Sequence, residues 1–393
     1  MTGSGTLGDP YIIYDVNDLQ AIENHLAAYY ELANDIDASA TSGWNDGAGF
    51  LPIGENNPYF TGNFDGKGYS ITNLYINRPD WMDVALIAVT AGNVVIQNVN
   101  LVNVNITGGW AVGGIVSYVI GISLEVRNCS VSGSMVTKNI GEAGGIIGCM
   151  YTGEGLIDHC HVSGTVSGSN FYSSIGGIVG ENCRPLTISN SYTTCNVEGK
   201  DYVGGIVGYS GYNANLTMEK CFTTGNITGS NWGAGGLIGD FSVAGSIKNC
   251  YATGHITGNQ AVGGAFGAFY NGTIEFVYSA GLVTGNSYVG GLHGYDSGSE
   301  EVNPCFWDKE TSGQLTSVTG TGKTTVQMQT KSTFTDAGWD FNTIWAMCVA
   351  GVAGYPCLLG VTPDCASCIA HRHHPTIPTE PNRGKVLSEM GSL

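Results

Sequence analysis

Positive charge is scarce in this chain of 393 residues, with 14 Lys and Arg against 32 Asp and Glu and a formal net charge of −18. Nucleic-acid binding rests on cations that neutralise phosphates, so that class of partner is excluded. Long apolar runs are also missing; none approaches the ~20 residues that a spanning helix needs, and no membrane span is expected. Charged residues of either sign make up 12% of the chain, about half of the roughly 25% usual in globular domains. The opening segment, MTGSGTLGDPYIIYDV, contains no Lys or Arg and no long apolar core, and the first cation is Lys67. It does not read as a secretory signal. The expectation drawn from Met1 as a start is a surface-type protein released by lysis or by a dedicated route. The alternative is a chain whose leader has been removed.

What the chain has in abundance is glycine, 61 residues of it. Seven short segments share a glycine pair: AVGGIVSY, EAGGIIGC, SIGGIVGE, YVGGIVGY, GAGGLIGD, AVGGAFGA and YVGGLHGY. Their first glycines are Gly113, Gly144, Gly176, Gly204, Gly235, Gly263 and Gly290, so successive copies are 31, 32, 28, 31, 28 and 27 residues apart. A second motif runs in step with the first, as NCSVSGSMV, HCHVSGTVSG, NSYTTCNVEG, KCFTTGNITG, NCYATGHITG and VYSAGLVTG. Two linked signatures at one period mark a stacked repeat architecture. The segments between glycines are short, rich in Val, Ile, Thr and Tyr, and show no sustained 3.6-residue period, which excludes helical repeats of similar length. One coil of a parallel β-helix, with three strands and three bends, fits the unit. The fold class expected is all-β, a right-handed parallel β-helix of ~28–32-residue coils, each adding about 4.8 Å to the stack.

Glycine pairs suit a corner that needs φ > 0 or close backbone approach at the same place in every coil. In the second motif a polar position recurs as Asn128, His159, Asn190, Lys220 and Asn249, read as a ladder of left-handed bends. The next residue, Cys129, Cys160, Ser191, Cys221 or Cys250, should turn inward. The one after it should face outward, and it gives the candidate site of this chain: Tyr192, Phe222, Tyr251 and Tyr278 as a stacked aromatic stripe. Exposed, such a stripe suits glycans or another subunit; turned inward, it is core.

These motifs resemble those of the GLUG-motif repeat proteins, whose unit is similar to GGLIGDFSVAGSIKNCYATGHITG at 235–258. FTGNFDGKGYSITNLYI at 60–76 resembles the segment that precedes such arrays. CFWDKETSGQ, GTGKTTVQM and FTDAGWDFNTIW, within 305–345, resemble their closing segment. The resemblance implies a β-helical surface or virion protein, often adhesive, and carries over no catalytic residue. Departures are the last copies, GGAFGA and GGLHGY, and the tail after Val361.

The expected organisation is an N-terminal cap and first coils over 1–110, repeats over 111–300, a non-repeating cap over 301–362 and an extended assembly arm over 363–393. At the start, Asp15 should cap a helix with Leu19, Ile22 and Leu26 on one face. At the end, Trp307, Trp339, Phe341 and Trp345 should plug the last coil. The repeat-position cysteines should be free thiols, because parallel in-register stacking suits a disulfide poorly. The tail cluster Cys365, Cys368, His371 and His373 offers thiolate and imidazole to a metal, but at closer spacing than common zinc sites. The expectation is therefore no metal and no cofactor, with those four as the candidates.

Catalysis is not expected. No repeat position collects two acids and a base on neighbouring coils, and His161, His255 and His293 lack evident triad partners. GTGKTT at 320–325 has Ser317 where a phosphate loop begins with glycine. The function expected is a non-enzymatic solenoid on an extracellular particle, a viral or phage spike, fibre or decoration, partnered by itself and by surface glycans. The alternatives are a bacterial or archaeal cell-surface adhesin and a polysaccharide-degrading β-helix. The localisation expected is the virion or the extracellular surface.

Overall fold

The computed structural model describes residues 1–298, 300–348, 354–363 and 365. The chain winds into a parallel β-solenoid of about 9 turns. One wall is a sheet of eight strands stacked in sequence order, from Ile87–Thr90 through Val116–Val119, Ile147–Met150 and onward to His293–Tyr295. The other walls merge into one 31-stranded sheet. Each strand pairs in parallel with its counterpart one coil away; Ser130–Thr137, for example, pairs with His161–Gly168 in register over its whole length. Strand side chains alternate, and the inward set forms one core that runs from Ile13 to Trp307.

Two kinds of corner hold the coil in shape. The bend ladder is left-handed as expected, with φ of 51° at Asn128, 52° at His159, 47° at Asn190, 53° at Lys220 and 53° at Asn249. Asn dominates there because its amide bonds along the stack, as Asn128 Nδ2 donates to Asn98 Oδ1 at 3.3 Å. The glycine pairs work by contact instead of by φ. A Cβ on Gly204 would sit 1.9 Å from the Val207 carbonyl oxygen, and one on Gly205 would sit 2.0 Å from that of Gly236 in the next coil. The first glycine thus closes the corner, and the second lets adjacent coils approach.

Beside the bend ladder, Cys129, Cys160, Cys221 and Cys250 point inward as free, buried thiols. Each donates to a main-chain carbonyl, at 3.1 Å to Arg127 for Cys129 and 3.1 Å to Lys248 for Cys250. Burial pushes the Cys160 and Cys250 thiols well above their usual range, so they stay protonated and behave as small apolar groups.

The start of the chain is capped as its pattern predicts, in a shorter form. The helix spans Val16–Gln20, with Asp15 accepting from the Asn17 and Asp18 amides, and gives way to a tighter turn over Ala21–Asn24. Leu19, Ile22 and Leu26 are buried. Among the described residues, no helix is long and apolar enough to cross a membrane.

The C-terminal segment departs from the expected plug. Phe306–Asp308 and Thr321–Lys323 still pair in parallel with the stack, and Trp307 joins the main core at its end. The chain then turns through two short helices, Thr325–Met328 and Lys331–Thr335, and lies back along one flank. Trp339 and Trp345 pack there, with Phe341 against them, instead of over the end of the solenoid. An antiparallel pair, Trp345–Met347 with Pro356–Leu358, closes the segment.

Candidate functional site: an acidic, aromatic-lined groove

The aromatic file forms as a stack. Ring centroids are 5.1 Å apart for His161 and Tyr192, 4.7 Å for Tyr192 and Phe222, 4.7 Å for Phe222 and Tyr251, and 5.1 Å for Tyr251 and Tyr278, all nearly parallel. Its exposure is where the expectation needs correction. Phe222, Tyr251 and Tyr278 are buried beneath the returning segment, by Met328, Phe334, Trp339, Trp345, Tyr355 and Leu358, and Tyr192 is half-buried at the margin. The hydroxyls are engaged as well: Tyr278 donates to the Pro356 carbonyl at 2.6 Å, and Tyr251 bonds Thr362 Oγ1 at 3.0 Å. Three of the four rings are thus covered by their own chain. The apolar stripe that a strand spacing creates is large enough to fold the tail onto itself before any partner arrives.

Of the four metal candidates, Cys365 is buried and bonded to Cys357 as a disulfide, with the Cα atoms 6.1 Å apart. Cys368, His371 and His373 lie outside the described residues, as does nearly all of the proposed assembly arm. His293 is buried in the wall, with Nε2 2.7 Å from the Tyr295 carbonyl and burial pulling it down to about 4.

An open groove runs along the glycine corners. In each copy, the residue two before the glycine pair and the one five after its first glycine both point outward. Strand alternation puts them on either side of the corner, where they meet. Tyr202 and Tyr209 have centroids 5.0 Å apart, Tyr288 and Tyr295 5.0 Å, and Ser174 Oγ donates to Glu181 Oε2 at 3.5 Å. Stacking turns each position into a row. One runs Tyr118, Cys149, Glu181, Tyr209, Asp240, Ala268, Tyr295 by direct strand register. The facing row includes Asp83 paired with Ala111, and Glu142 paired with Ser174. The repeat therefore holds its structural residues constant and varies the two outward ones.

The deepest part is a groove of ≈ 730 Å³ lined by Asp83, Trp110, Tyr118, Glu142, Tyr151, Tyr172, Glu181, Arg184 and Tyr212, among others. Trp110, Tyr151, Tyr172 and Tyr212 are exposed at its rim, and Tyr118 and Tyr151 stack at 5.4 Å. Beneath them lie the acids. Burial, then the neighbouring Glu181 charge, pushes the Glu142 carboxyl up to about 8, and its Oε2 is buried without a hydrogen-bond partner. Burial likewise pushes Asp83 up to about 6. Further along, Asp240 accepts from the Trp232 indole at 3.1 Å and from Ser242 Oγ at 2.7 Å, and burial raises it too.

The sign of the pH dependence follows. Between the ordinary carboxyl value of 4.5 and about 8, native Glu142 holds a proton that the unfolded chain has released. Stability is therefore expected to fall as pH climbs through that window and to level off above it. Glu142→Gln should flatten the fall and add roughly 1–3 kcal/mol at pH 8. Denaturant melts of both proteins at pH 5 and pH 8 check this; parallel pH profiles would overturn it.

Stacked coils with glycine corners define the class, a parallel β-solenoid. Within that class the chain carries the GLUG motif, and residues 230–257 match the family described as Glug, "The GLUG motif". Over 268 residues the chain is 34% identical to halomucin of Haloquadratum walsbyi, across 59% of this chain and 3% of that protein. It is 33% identical to a putative Gly-rich membrane protein of Evansella cellulosilytica, across 88% of this chain and 44% of the relative. The chain thus spans less than half the length of either curated relative. Among solved structures it is similar to a putative immunoglobulin A1 protease from Bacteroides ovatus, at TM-score 0.47 and 19% identity, over 91% of this chain and 94% of that one.

Proposed function

We propose that this chain is a cell-surface adhesive solenoid that binds extended, uncharged glycans along the groove. The observation that carries the reading is the groove lining, where the exposed rings of Trp110, Tyr151, Tyr172 and Tyr212 surround the carboxyls of Asp83, Glu142 and Glu181. Aromatic faces stack on the apolar faces of sugars, and carboxyls accept from their hydroxyls. The rows from the Asp83 coil to the Tyr288 coil span seven strand spacings, roughly 34 Å, long enough for an extended oligomer. The lining sets the carboxyls of Asp83, Glu142 and Glu181 against one cation, Arg184, which disfavours acidic polysaccharides. The surface reading is supported by the relatives, one named halomucin and the other a putative Gly-rich membrane protein, both encoded by cellular organisms. That favours the adhesin over the virion component.

Trp110→Ala with Tyr212→Ala should weaken binding to neutral glycans at least ~tenfold, about 1.4 kcal/mol, with the melting temperature unchanged because both rings are exposed. A glycan panel read by direct binding checks this. Binding only to acidic glycans, or equal binding by the variant, sinks the reading. Hydrolysis of the bound glycan is a second reading, favoured by one observation: Glu142 and Glu181 line the same groove, and burial with the Glu181 charge pushes the Glu142 carboxyl up, as suits a general acid. New reducing ends that vanish in Glu142→Gln would establish it.

A further inference from the structure

Past Tyr212 the groove changes character. The next two copies of the repeat carry small groups at three of their four outward positions, Gly233, Ala261 and Ala268, with Asp240 as the fourth. Rings return at both positions of the last copy, Tyr288 and Tyr295. The small side chains leave a gap two coils wide, about 10 Å along the axis. Aromatic rings from just outside the two rows fill it. Trp232 lies 5.2 Å from Tyr295 and 6.2 Å from Tyr288, and Tyr270 lies 5.9 Å from Tyr295, centroid to centroid and edge to face. Asp240 sits beneath, where it accepts from the Trp232 indole at 3.1 Å and so fixes that ring in place. Tyr288 is exposed and the other three rings are half-buried, so the cluster presents ring surface to solvent. Tyr202 and Tyr209 stand between it and the rim of the deep groove, Tyr209 being 6.1 Å from Tyr212.

We propose that Trp232, Tyr270, Tyr288 and Tyr295 form a second sugar-stacking platform, so that the groove holds a straight, β-linked neutral polysaccharide along the solenoid axis at two points. The proposal rests on the glycan reading above and adds to it a linkage class and a second subsite. Geometry selects the linkage. From the coil of Trp110 to that of Tyr295 the corners advance six strand spacings, roughly 29 Å. The strands beneath keep register from coil to coil, so the outward row follows the axis. A ligand that touches both platforms must stay extended over that length. Equatorial β-1,4 linkages keep a glycan ribbon-like, with flat apolar faces turned to the rings that stack on them. The α-1,4 linkage coils the chain and carries successive sugars off a straight line. Two platforms on one ligand raise affinity beyond either alone, since the second engagement is intramolecular.

The test is direct binding of trimers and hexamers to the full chain, in β-1,4-linked series of glucose, mannose and N-acetylglucosamine, beside α-1,4-linked glucose. In at least one β series the hexamer should bind at least ~tenfold more tightly than the trimer, while the α series gains less than ~twofold. Tyr288→Ala removes an exposed ring, so its melting temperature should not change. It should lower hexamer affinity at least ~fivefold more than trimer affinity. Equal affinity of trimer and hexamer in every β series overturns the proposal. So does an equal gain in the α series, or an equal loss at both lengths in Tyr288→Ala. The comparison of length and linkage uses the unaltered chain, so it decides even if the variant fails to fold. In each of those results neutral glycans still bind, and the reading of the groove stands. Absence of binding by every neutral oligomer removes that reading, and this proposal with it.

Discussion

Trp345→Ala is expected to destabilise the protein by roughly 3–5 kcal/mol, the range for removing a fully buried large aromatic ring. Its side chain is wholly buried, with ring centroids 4.8 Å from Trp339, 6.3 Å from Tyr251 and 6.1 Å from Tyr278. Its indole also donates to Asn249 Oδ1 at 3.2 Å. Asn249 is a bend residue, so this bond ties the returning segment to the ladder itself. Loss of the ring should loosen the whole segment and uncover Phe222, Tyr251 and Tyr278. A fluorescent dye that binds apolar surface should then light up before the solenoid melts. Val326→Ala in the same segment, at an exposed position, should shift stability by no more than ~0.5 kcal/mol. If Trp345→Ala costs less than ~1 kcal/mol and the dye stays dark, the segment is not held by this cluster.

The same residues show where sequence reading reaches its limit. Stack, period, glycine corners and the left-handed ladder are all legible, because each is a local demand repeated in every coil. Even Lys220 obeys the ladder, although Lys does not favour φ > 0 as Asn and His do, since the Asn positions on either side fix the corner. The aromatic file was legible as a stack but not as a covered one. What covers it lies some 100 residues further on, and nothing in a periodic pattern says where a non-repeating segment will lie. The convergence of Cys348, Cys357 and Cys365 is hidden for the same reason, since their spacing in sequence carries no repeat. The groove is different, because its signal was present. In EAGGIIGC, SIGGIVGE, YVGGIVGY and GAGGLIGD the flanking residues vary between Glu, Ser, Tyr, Gly, Cys and Asp while the interior keeps its three glycines and stays apolar elsewhere. Variation at two fixed positions of an otherwise constant repeat marks the face on which chemistry is displayed. Glu142 and Glu181 come from two different repeat positions on adjacent coils, so no single repeat position shows the pair.

Gly205→Ala is expected to cost roughly 3 kcal/mol or more, a large effect for a single methyl group. The new Cβ would lie 2.0 Å from the Gly236 carbonyl oxygen and 2.8 Å from the Thr223 side chain. The oxygen is main chain, at a corner between two strands, so it cannot swing away as a side-chain tip would. Thr193 Oγ1 donates to the Gly205 carbonyl at 2.8 Å and bonds Thr223 Oγ1 at 3.0 Å, so moving this corner disturbs three coils at once. Gly8→Ala supplies the comparison. Nothing lies within 4 Å of its new Cβ, and the smaller entropy of the unfolded chain should make that change neutral or stabilising by up to ~1 kcal/mol. In a solenoid each coil touches only its neighbours, so the damage at Gly205 should be local. Amide exchange should quicken in the coils of Gly176, Gly204 and Gly235 and stay slow near Ile71 and Leu101. Equal stability of Gly205→Ala and Gly8→Ala would mean that the second glycine of the pair is not there for close approach. Uniform loss of protection along the whole stack would show instead that the coils melt as one body.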